Sequence, residues 1–365
     1  MPESPDHSEG CEFRQDQYTP SVKVMAAMSG GVDSSVTAAL MLEKGFRCIG
    51  VTMELYGKRD ADISDARQAA EKLGITHEVL DFTRAFSDEV IRNFIESYEK
   101  GDTPNPCIIC NRSIKFGCLF SRAKQLGCEL LATGHYAQIE KSGSRRLLRK
   151  AADLTKDQSY VLYTLTQETL AGVSFPLGSL TKNEVREIAK KQGFVNANKR
   201  ESQDICFVPG GDYGAFMEQY TGKLYPQGDI LDPAGKLIGR HRGLIRYTLG
   251  QRRGLGVAVN QPVYVCAKDP VSNTLTLGPE SALFTKTLIA DRINLIACES
   301  MEKPMRVKVK TRYLQEEKPA WAVQIGDAEI SIEFDEAQRA ITAGQSAVIY
   351  DGDIVVGGGI IRSTV

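Results

Sequence analysis

Met28-Ser29-Gly30-Gly31-Val32-Asp33-Ser34-Ser35 stands between two segments of opposite character. Before it, Val22-Lys23-Val24-Met25-Ala26-Ala27 is a short apolar run ending at a turn signal, which reads as a buried parallel strand. After it, Val32, Val36, Ala39, Leu40 and Leu42 recur at helical spacing, with Asp33 and Ser34 at the start and Gly45 at the stop. The order is strand, glycine loop, helix. Adjacent glycines permit a tight turn and close backbone approach, and the first helical turn offers N–H groups to an anion. Such a loop is a phosphate cradle; its plainer alternative is a strand-to-helix turn with capping serines.

The loop lacks the Gly-Lys-Ser/Thr ending whose lysine reaches the β and γ phosphates, and its glycines are adjacent rather than spaced as in the dinucleotide fingerprint. It resembles instead the pyrophosphate loop of the N-type ATP pyrophosphatases, which cut ATP between the α and β phosphates. That resemblance implies ATP binding by Ala27, Met28, Ser29, Gly30, Gly31, Val32, Asp33 and Ser34, with Asp33 helping to hold Mg²⁺ on the phosphates.

Working outward, 365 residues suffice for two or three domains with a sizeable core. Apolar runs are too short for a membrane span. Residues 1–20 are acidic, with one arginine and no apolar core, so they read as a disordered tail rather than a targeting segment. Nine cysteines without such a segment point to a reducing, cytoplasmic setting. A net charge of −1 means that nucleic-acid affinity must come from local patches.

Strands at 47–53 and 76–82 alternate with helical patterns at 63–73 and through Phe86, Val90, Ile91, Phe94 and Ile95. This is an α/β rhythm, predicting a doubly wound parallel sheet with ligands gathered outside the strand C-termini. Met53, at the end of its strand, fits either a nucleotide contact or a core position. Residues 101–112 break the rhythm with Pro104, Pro106 and a Cys107-x-x-Cys110 pair, and predict a loop carrying both thiols. A redox dithiol, half a metal site, a reactive thiol and a coincidental pair all fit that spacing. A fourth strand at 129–133 leads into Gly134-His135-Tyr136, where glycine allows backbone to approach a ligand; His135 is left unassigned.

Further motifs follow: Lys156-Asp157-Gln158-Ser159-Tyr160, expected to open an apolar helix, and Ile205-Cys206-Phe207. Together with the glycine loop, Pro104-Asn105-Pro106, Cys110-Asn111, Ala132-Thr133-Gly134-His135-Tyr136 and 247–256, these resemble the bacterial tRNA-specific 2-thiouridylases across residues 22–365. The resemblance implies sulfur insertion at position 2 of the wobble uridine of tRNA, making the chain a tRNA-uridine 2-sulfurtransferase. Cys206 would carry a persulfide and Cys110 would be the resolving nucleophile, passing through a disulfide bond. Asn105, Pro106 and Cys107 would touch the target base; Lys156, Asp157, Gln158, Arg312 and Tyr313 would touch the tRNA; Met53 and Gly134 would join the ATP site. A cysteine desulfurase or sulfur-carrier protein would donate sulfur to an enzyme expected to act as a monomer.

The chemistry needs these parts. A uracil C2 oxygen leaves poorly, so transfer of AMP to it must come first, and a persulfide is then a better sulfur donor than a thiol. Some relatives carry aspartate where this chain has Cys107, and Cys107, Cys110 and Cys206 can also be read as three corners of a [4Fe–4S] cluster. The persulfide relay is preferred. Other readings are a different adenylating synthetase of the pyrophosphatase class and a non-catalytic tRNA-binding protein.

Arg240, His241, Arg242, Arg246, Arg252 and Arg253 form a basic, glycine-rich segment suited to phosphates. Arg306, Lys308, Lys310 and Arg312 alternate with apolar residues, predicting a basic strand face over a core. Short alternating strands after residue 285, with turns at Gly352 and Gly357-Gly358-Gly359, predict a small β-barrel. The expected domains are a catalytic sheet domain at 21–207, a central tRNA-binding module at 208–284 and a C-terminal barrel at 285–365.

Overall fold

The computed structural model describes residues 22–57, 60–196, 205–258 and 261–364; the expected tail at 1–20 lies outside them. Strands β1 (Lys23–Ala27), β2 (Arg47–Glu54), β3 (Thr76–Asp81), β4 (Leu130–Ala132) and β7 (Val173–Ser174) form a parallel sheet in the order β3-β2-β1-β4-β7. Helix α1 (Val32–Glu43) follows β1, and α2 (Asp60–Lys72) follows β2. β1 is central and its Val24, Met25 and Ala26 are fully buried, as a strand covered on both faces must be. The strand order reverses beside β1, so the glycine loop opens at the switch point where α/β sheets take ligands.

Strands β5 (Gln138–Ser142) and β6 (Arg145–Arg149) leave this sheet and join another. In the C-terminal region β12 (Phe284–Leu295), β13 (Met305–Lys310), β14 (Lys318–Gly326), β15 (Glu329–Arg339), β16 (Ser346–Asp351) and β17 (Ile354–Thr364) are antiparallel, and β12 pairs with both β15 and β17. The six strands therefore close into a barrel, which removes its edges. The β5–β6 hairpin extends it through Val355 opposite Leu148. Between the two lies a four-stranded sheet, β10-β11-β8-β9, made of β8 (Gly228–Leu231), β9 (Leu237–His241), β10 (Tyr264–Asp269) and β11 (Thr274–Gly278).

One apolar core runs from Met25 and Val51 of the parallel sheet through Tyr160 and Tyr163 to Val348, Tyr350 and Val355 of the barrel. The buried tyrosines are satisfied across the joint: Tyr160 Oη donates to the Ser346 carbonyl at 2.9 Å, and Tyr163 Oη meets Ser346 Oγ at 3.0 Å. Asn294 Nδ2 donates to the carbonyls of Tyr163 and Leu165 at 2.7 and 2.9 Å. Apolar burial, together with hydrogen bonds whose loss would strand buried polar atoms, locks barrel to sheet.

Three local expectations change. Residues 106–119 are helical rather than a loop: Pro106–Ile109 is α-helical and Cys110–Leu119 continues as π-helix. Pro106 sits in the first turn, where its missing N–H costs nothing, and Asn105 caps that turn by accepting from Cys107 N at 3.1 Å. Lys156–Tyr160 opens only a short 3₁₀ turn, Ser159–Leu162. Gly357, Gly358 and Gly359 lie inside β17 rather than in a turn. A Cβ on Gly358 would stand 2.6 Å from the Ala347 carbonyl oxygen and 2.8 Å from the Tyr163 ring, so the glycines are there for close approach.

The basic surfaces are also smaller than expected. β13 buries Val307 and Val309 and exposes Arg306 and Lys308, but Arg312 lies beyond it and turns inward to the Ala340 carbonyl (3.0 Å) and Thr342 Oγ1 (2.8 Å). Arg306 forms a bidentate pair with Asp335 at 2.6 Å. In the glycine-rich segment His241 is fully buried and Arg246 pairs with Glu218 at 2.7 Å, leaving Arg242, Arg252 and Arg253 exposed. Among the described residues no helix is long and apolar enough to cross a membrane.

Candidate active site

The glycine loop is held by its own hydroxyls. Ser34 Oγ accepts from Ser29 N at 3.0 Å and donates to the Gly31 carbonyl at 2.9 Å, while Ser35 Oγ donates to the same carbonyl at 3.2 Å. Gly30 takes φ +82°, and a Cβ there would lie 2.1 Å from the Asp62 carbonyl oxygen, so the turn needs glycine twice over. Gly31 is the N-cap of α1 and supplies no side-chain acceptor. The first turn of α1 thus keeps its N–H groups and positive dipole end for a ligand.

Around this turn a cleft of about 670 Å³ is lined by residues that include Ala27, Met28, Ser29, Asp33, Ser34 and Met53. Val51, Thr133, Gly134, His135, Lys115 and Gln158 complete it. Of the residues expected at the ATP site, Gly30, Gly31 and Val32 shape the loop from behind rather than line the cleft. Gly134 packs against the loop, where a Cβ would stand 3.1 Å from Ser34 N. Met53 is both cleft wall and core neighbour.

Asp33 has partners that the sequence did not reveal. Lys182, nearly buried in the first turn of the Lys182–Lys191 helix, places Nζ 2.8 Å from each Asp33 carboxylate oxygen, and Tyr136 Oη donates to Asp33 Oδ1 at 2.9 Å. A sequence separation of 149 positions hides this pair from any motif search. Asn196 is a second missed residue: its Nδ2 donates to the Gly30 carbonyl at 3.2 Å and to Ser35 Oγ at 3.1 Å, tying down the loop from behind.

Cys107 and Cys110 stand three positions apart at the start of the 106–119 helix, and Cys206 is near enough for its charge to act on Cys110. Phe207 positions it: that ring is buried against Phe86, Phe94 and Phe216 at centroid distances of 5.3 to 5.6 Å, which leaves Cys206 at the surface. All three sulfurs are free thiols whose charges interact. Burial pushes the Cys110 thiol up to about 11, opposed by Lys115 and reinforced by Cys206 and Cys107. Burial likewise raises Cys107 and Cys206, although both reach solvent at one side. Among the described residues no three His, Cys, Asp or Glu side chains are arranged to hold a single metal ion.

The remaining expected residues are scattered around this centre. Asn105 lines a second cleft, between the helix Arg92–Glu99 and the barrel, together with Lys100 and Arg292. Pro106 is buried. Asp157 is buried and accepts from Ala151 N, Ser159 N and Ser159 Oγ at 3.0, 3.2 and 2.7 Å, so its carboxylate holds its own loop. Gln158 Oε1 accepts from Tyr136 N at 2.9 Å and faces the nucleotide cleft. Tyr313 Oη donates to the Asp157 carbonyl at 3.3 Å, bringing the barrel's Arg312–Tyr313 corner to Lys156–Gln158.

A family model described as the tRNA methyl transferase HUP domain matches residues 22–210, a PRC-barrel domain of the same series matches 214–279, and an aminomethyltransferase beta-barrel domain matches 285–361. A tRNA-specific 2-thiouridylase from Clostridioides difficile is 47% identical over 355 residues, covering 94% of this chain and 98% of its own length. The chain belongs to the tRNA-specific 2-thiouridylase family. Members from Acetivibrio thermocellus and Treponema denticola are 46% and 45% identical over 93% and 94% of the chain and 99% and 98% of their own lengths. A solved NMN synthetase from Francisella tularensis is 18% identical, covers 56% of this chain and 79% of its own, and has a TM-score of 0.34, too low to bear on the argument. With this family, neither the other adenylating synthetase of the pyrophosphatase class nor the non-catalytic tRNA binder is favoured.

Proposed function

We propose that the chain is an ATP-dependent tRNA-uridine 2-sulfurtransferase acting on the wobble position. One observation supports the reading: an uncapped helix start shaped for phosphate opens on a cleft lined by Lys115, whose charge also acts on Cys107, Cys110 and Cys206. The uracil C2 oxygen attacks the α-phosphorus of ATP, and pyrophosphate leaves with the bonding electrons toward the first turn of α1. Mg²⁺ would ride mainly on the phosphates, because both Asp33 oxygens already accept from Lys182.

The terminal sulfur of a Cys206 persulfide then attacks C2, and AMP departs with the former carbonyl oxygen. Cys110 thiolate attacks Cys206 Sγ, the sulfane bond breaks toward the base, and 2-thiouridine leaves behind a Cys110–Cys206 disulfide. The two electrons that reduce the sulfane sulfur come from the two cysteines, and an external thiol reductant restores them. A cysteine desulfurase or sulfur carrier recharges Cys206, in the reducing cytoplasmic setting that free thiols favour. Asn105, Pro106 and Cys107 would receive the splayed base, and Lys156 to Gln158 with Arg312 and Tyr313 would meet the tRNA, its base unstacked cheaply in an anticodon loop. The enzyme is taken to act as a monomer.

The test is ATP–pyrophosphate exchange with and without wobble-uridine tRNA, run beside 2-thiouridine formation from a persulfide donor. Stimulation of exchange by tRNA and formation of 2-thiouridine are expected. Exchange indifferent to tRNA, with no thiolated base, would remove the reading.

A further inference from the structure

Lys115 is the charged side chain that belongs to both halves of the site. It lines the nucleotide cleft beside Ser34 and Gly134, and it also acts on the thiols of Cys107, Cys110 and Cys206. The π-helical run Cys110–Leu119 explains how. In a π-turn residue i bonds to i+5, so Lys115 returns toward the side of the helix that carries Cys110, where an α-helix would bring back positions i+3 and i+4.

Its ammonium is aimed by a buried relay. Lys115 Nζ stands 3.3 Å from His135 Nε2, and His135 Nδ1 stands 2.7 Å from Thr133 Oγ1. An ammonium has only donors, so Nε2 must accept and the imidazole proton sits on Nδ1, donating to the threonine. Burial first, and the Lys115 charge second, keep His135 well below its ordinary value and therefore neutral. One Lys115 proton is committed to His135, and the ammonium lines the cleft.

Resting on the thiolation reading above, we propose that Lys115 is a catalytic residue of both half-reactions, held in place by His135. In adenylation its charge meets the phosphate of ATP as the bond to pyrophosphate breaks. In sulfur transfer the same charge faces the departing AMP and the attacking Cys110 sulfur. No acid–base step is assigned to Lys115.

The experiment uses the full-length chain with Lys115→Met and Lys115→Arg. Single-turnover thiolation in Lys115→Met should fall by about 100-fold, the scale of losing one preorganised charge donor. Alkylation of Cys110 by iodoacetamide at pH 8 without nucleotide, followed by peptide mass, should slow by about tenfold, since a cation nearby is worth about one unit of thiol pKa. A purely structural lysine would move neither at unchanged melting temperature, and Lys115→Arg should recover part of both. Full thiolation and unchanged alkylation in a folded Lys115→Met protein would overturn the proposal. Should the methionine variant unfold, Lys115→Arg decides: retained thiolation supports the charge, and loss to background at unchanged melting overturns it. Failure of the unmodified chain in the exchange and thiolation assays would count against the thiolation reading instead.

Discussion

Two helix starts face the site, and they are built in opposite ways. α1 begins at Gly31, which has no side chain to cap its first turn, whereas the helix at Pro106 begins at Asn105, whose carboxamide accepts from Cys107 N, with a proline at the next position. The first start is left open and presents backbone N–H groups to an anion; the second is closed on itself and presents side chains, its thiols. A cradle for a leaving group and a platform for a nucleophile thus come from the same element, differing in one cap.

If that contrast is right, changing the thiol platform should leave the cradle working. The largest effect is expected for Cys110→Ser: thiolation falls to background while tRNA-stimulated pyrophosphate exchange persists, measured on the same preparation. Next, Gly30→Ala should abolish exchange and lower stability by about 3 kcal/mol in urea melts, combining the cost of a left-handed non-glycine residue with a backbone clash. Lys182→Met leaves the partly buried Asp33 carboxylate without its cation; a loss of about 3 kcal/mol and weaker ATP binding by calorimetry are expected, near the low end for unpairing because Asp33 keeps some water. Asn105→Ala should cost only about 1 kcal/mol, the value of an N-cap, and slow thiolation more than exchange because it loosens the platform and not the cradle.

The pH dependence separates the two starts as well. With burial pushing Cys110 up to about 11, the thiolate fraction grows about tenfold per pH unit below that value. Cys110-dependent sulfur release, followed by rapid quench, should therefore rise with pH through 7 to 9, while exchange, which uses no thiol, should follow a flatter profile.

The cradle was legible because everything that defines it lies within a few residues: a buried strand, two glycines, hydroxyls that bond back onto the Gly31 carbonyl, and a helical period. The parallel sheet and the barrel were legible for the same reason, through alternation and period. The platform was misread as a loop since two prolines in three residues suggest extended chain, and only the capping geometry at Asn105 shows Pro106 as a helix opener. Gly357 to Gly359 imitated a turn, whereas each sits in close contact inside the barrel: Gly357 with Asn294 and Leu295, Gly358 with Ala347 and Tyr163, Gly359 with Asp291 and Ile293. Lys182, Asn196 and Lys115 carry no motif of their own; each acquires meaning only from a partner brought near by the fold. Arg312 and Arg246 read as surface cations in the sequence and turn inward because carbonyl, hydroxyl or carboxylate acceptors await them there.

The central claim, that the open helix start activates a uracil oxygen, is tested most directly by the fate of that oxygen. A wobble-uridine tRNA carrying ¹⁸O at C2 is taken through one turnover with unlabelled ATP in unlabelled water, and the AMP is weighed by mass spectrometry. AMP bearing one ¹⁸O is the predicted result; unlabelled AMP alongside 2-thiouridine would contradict the account.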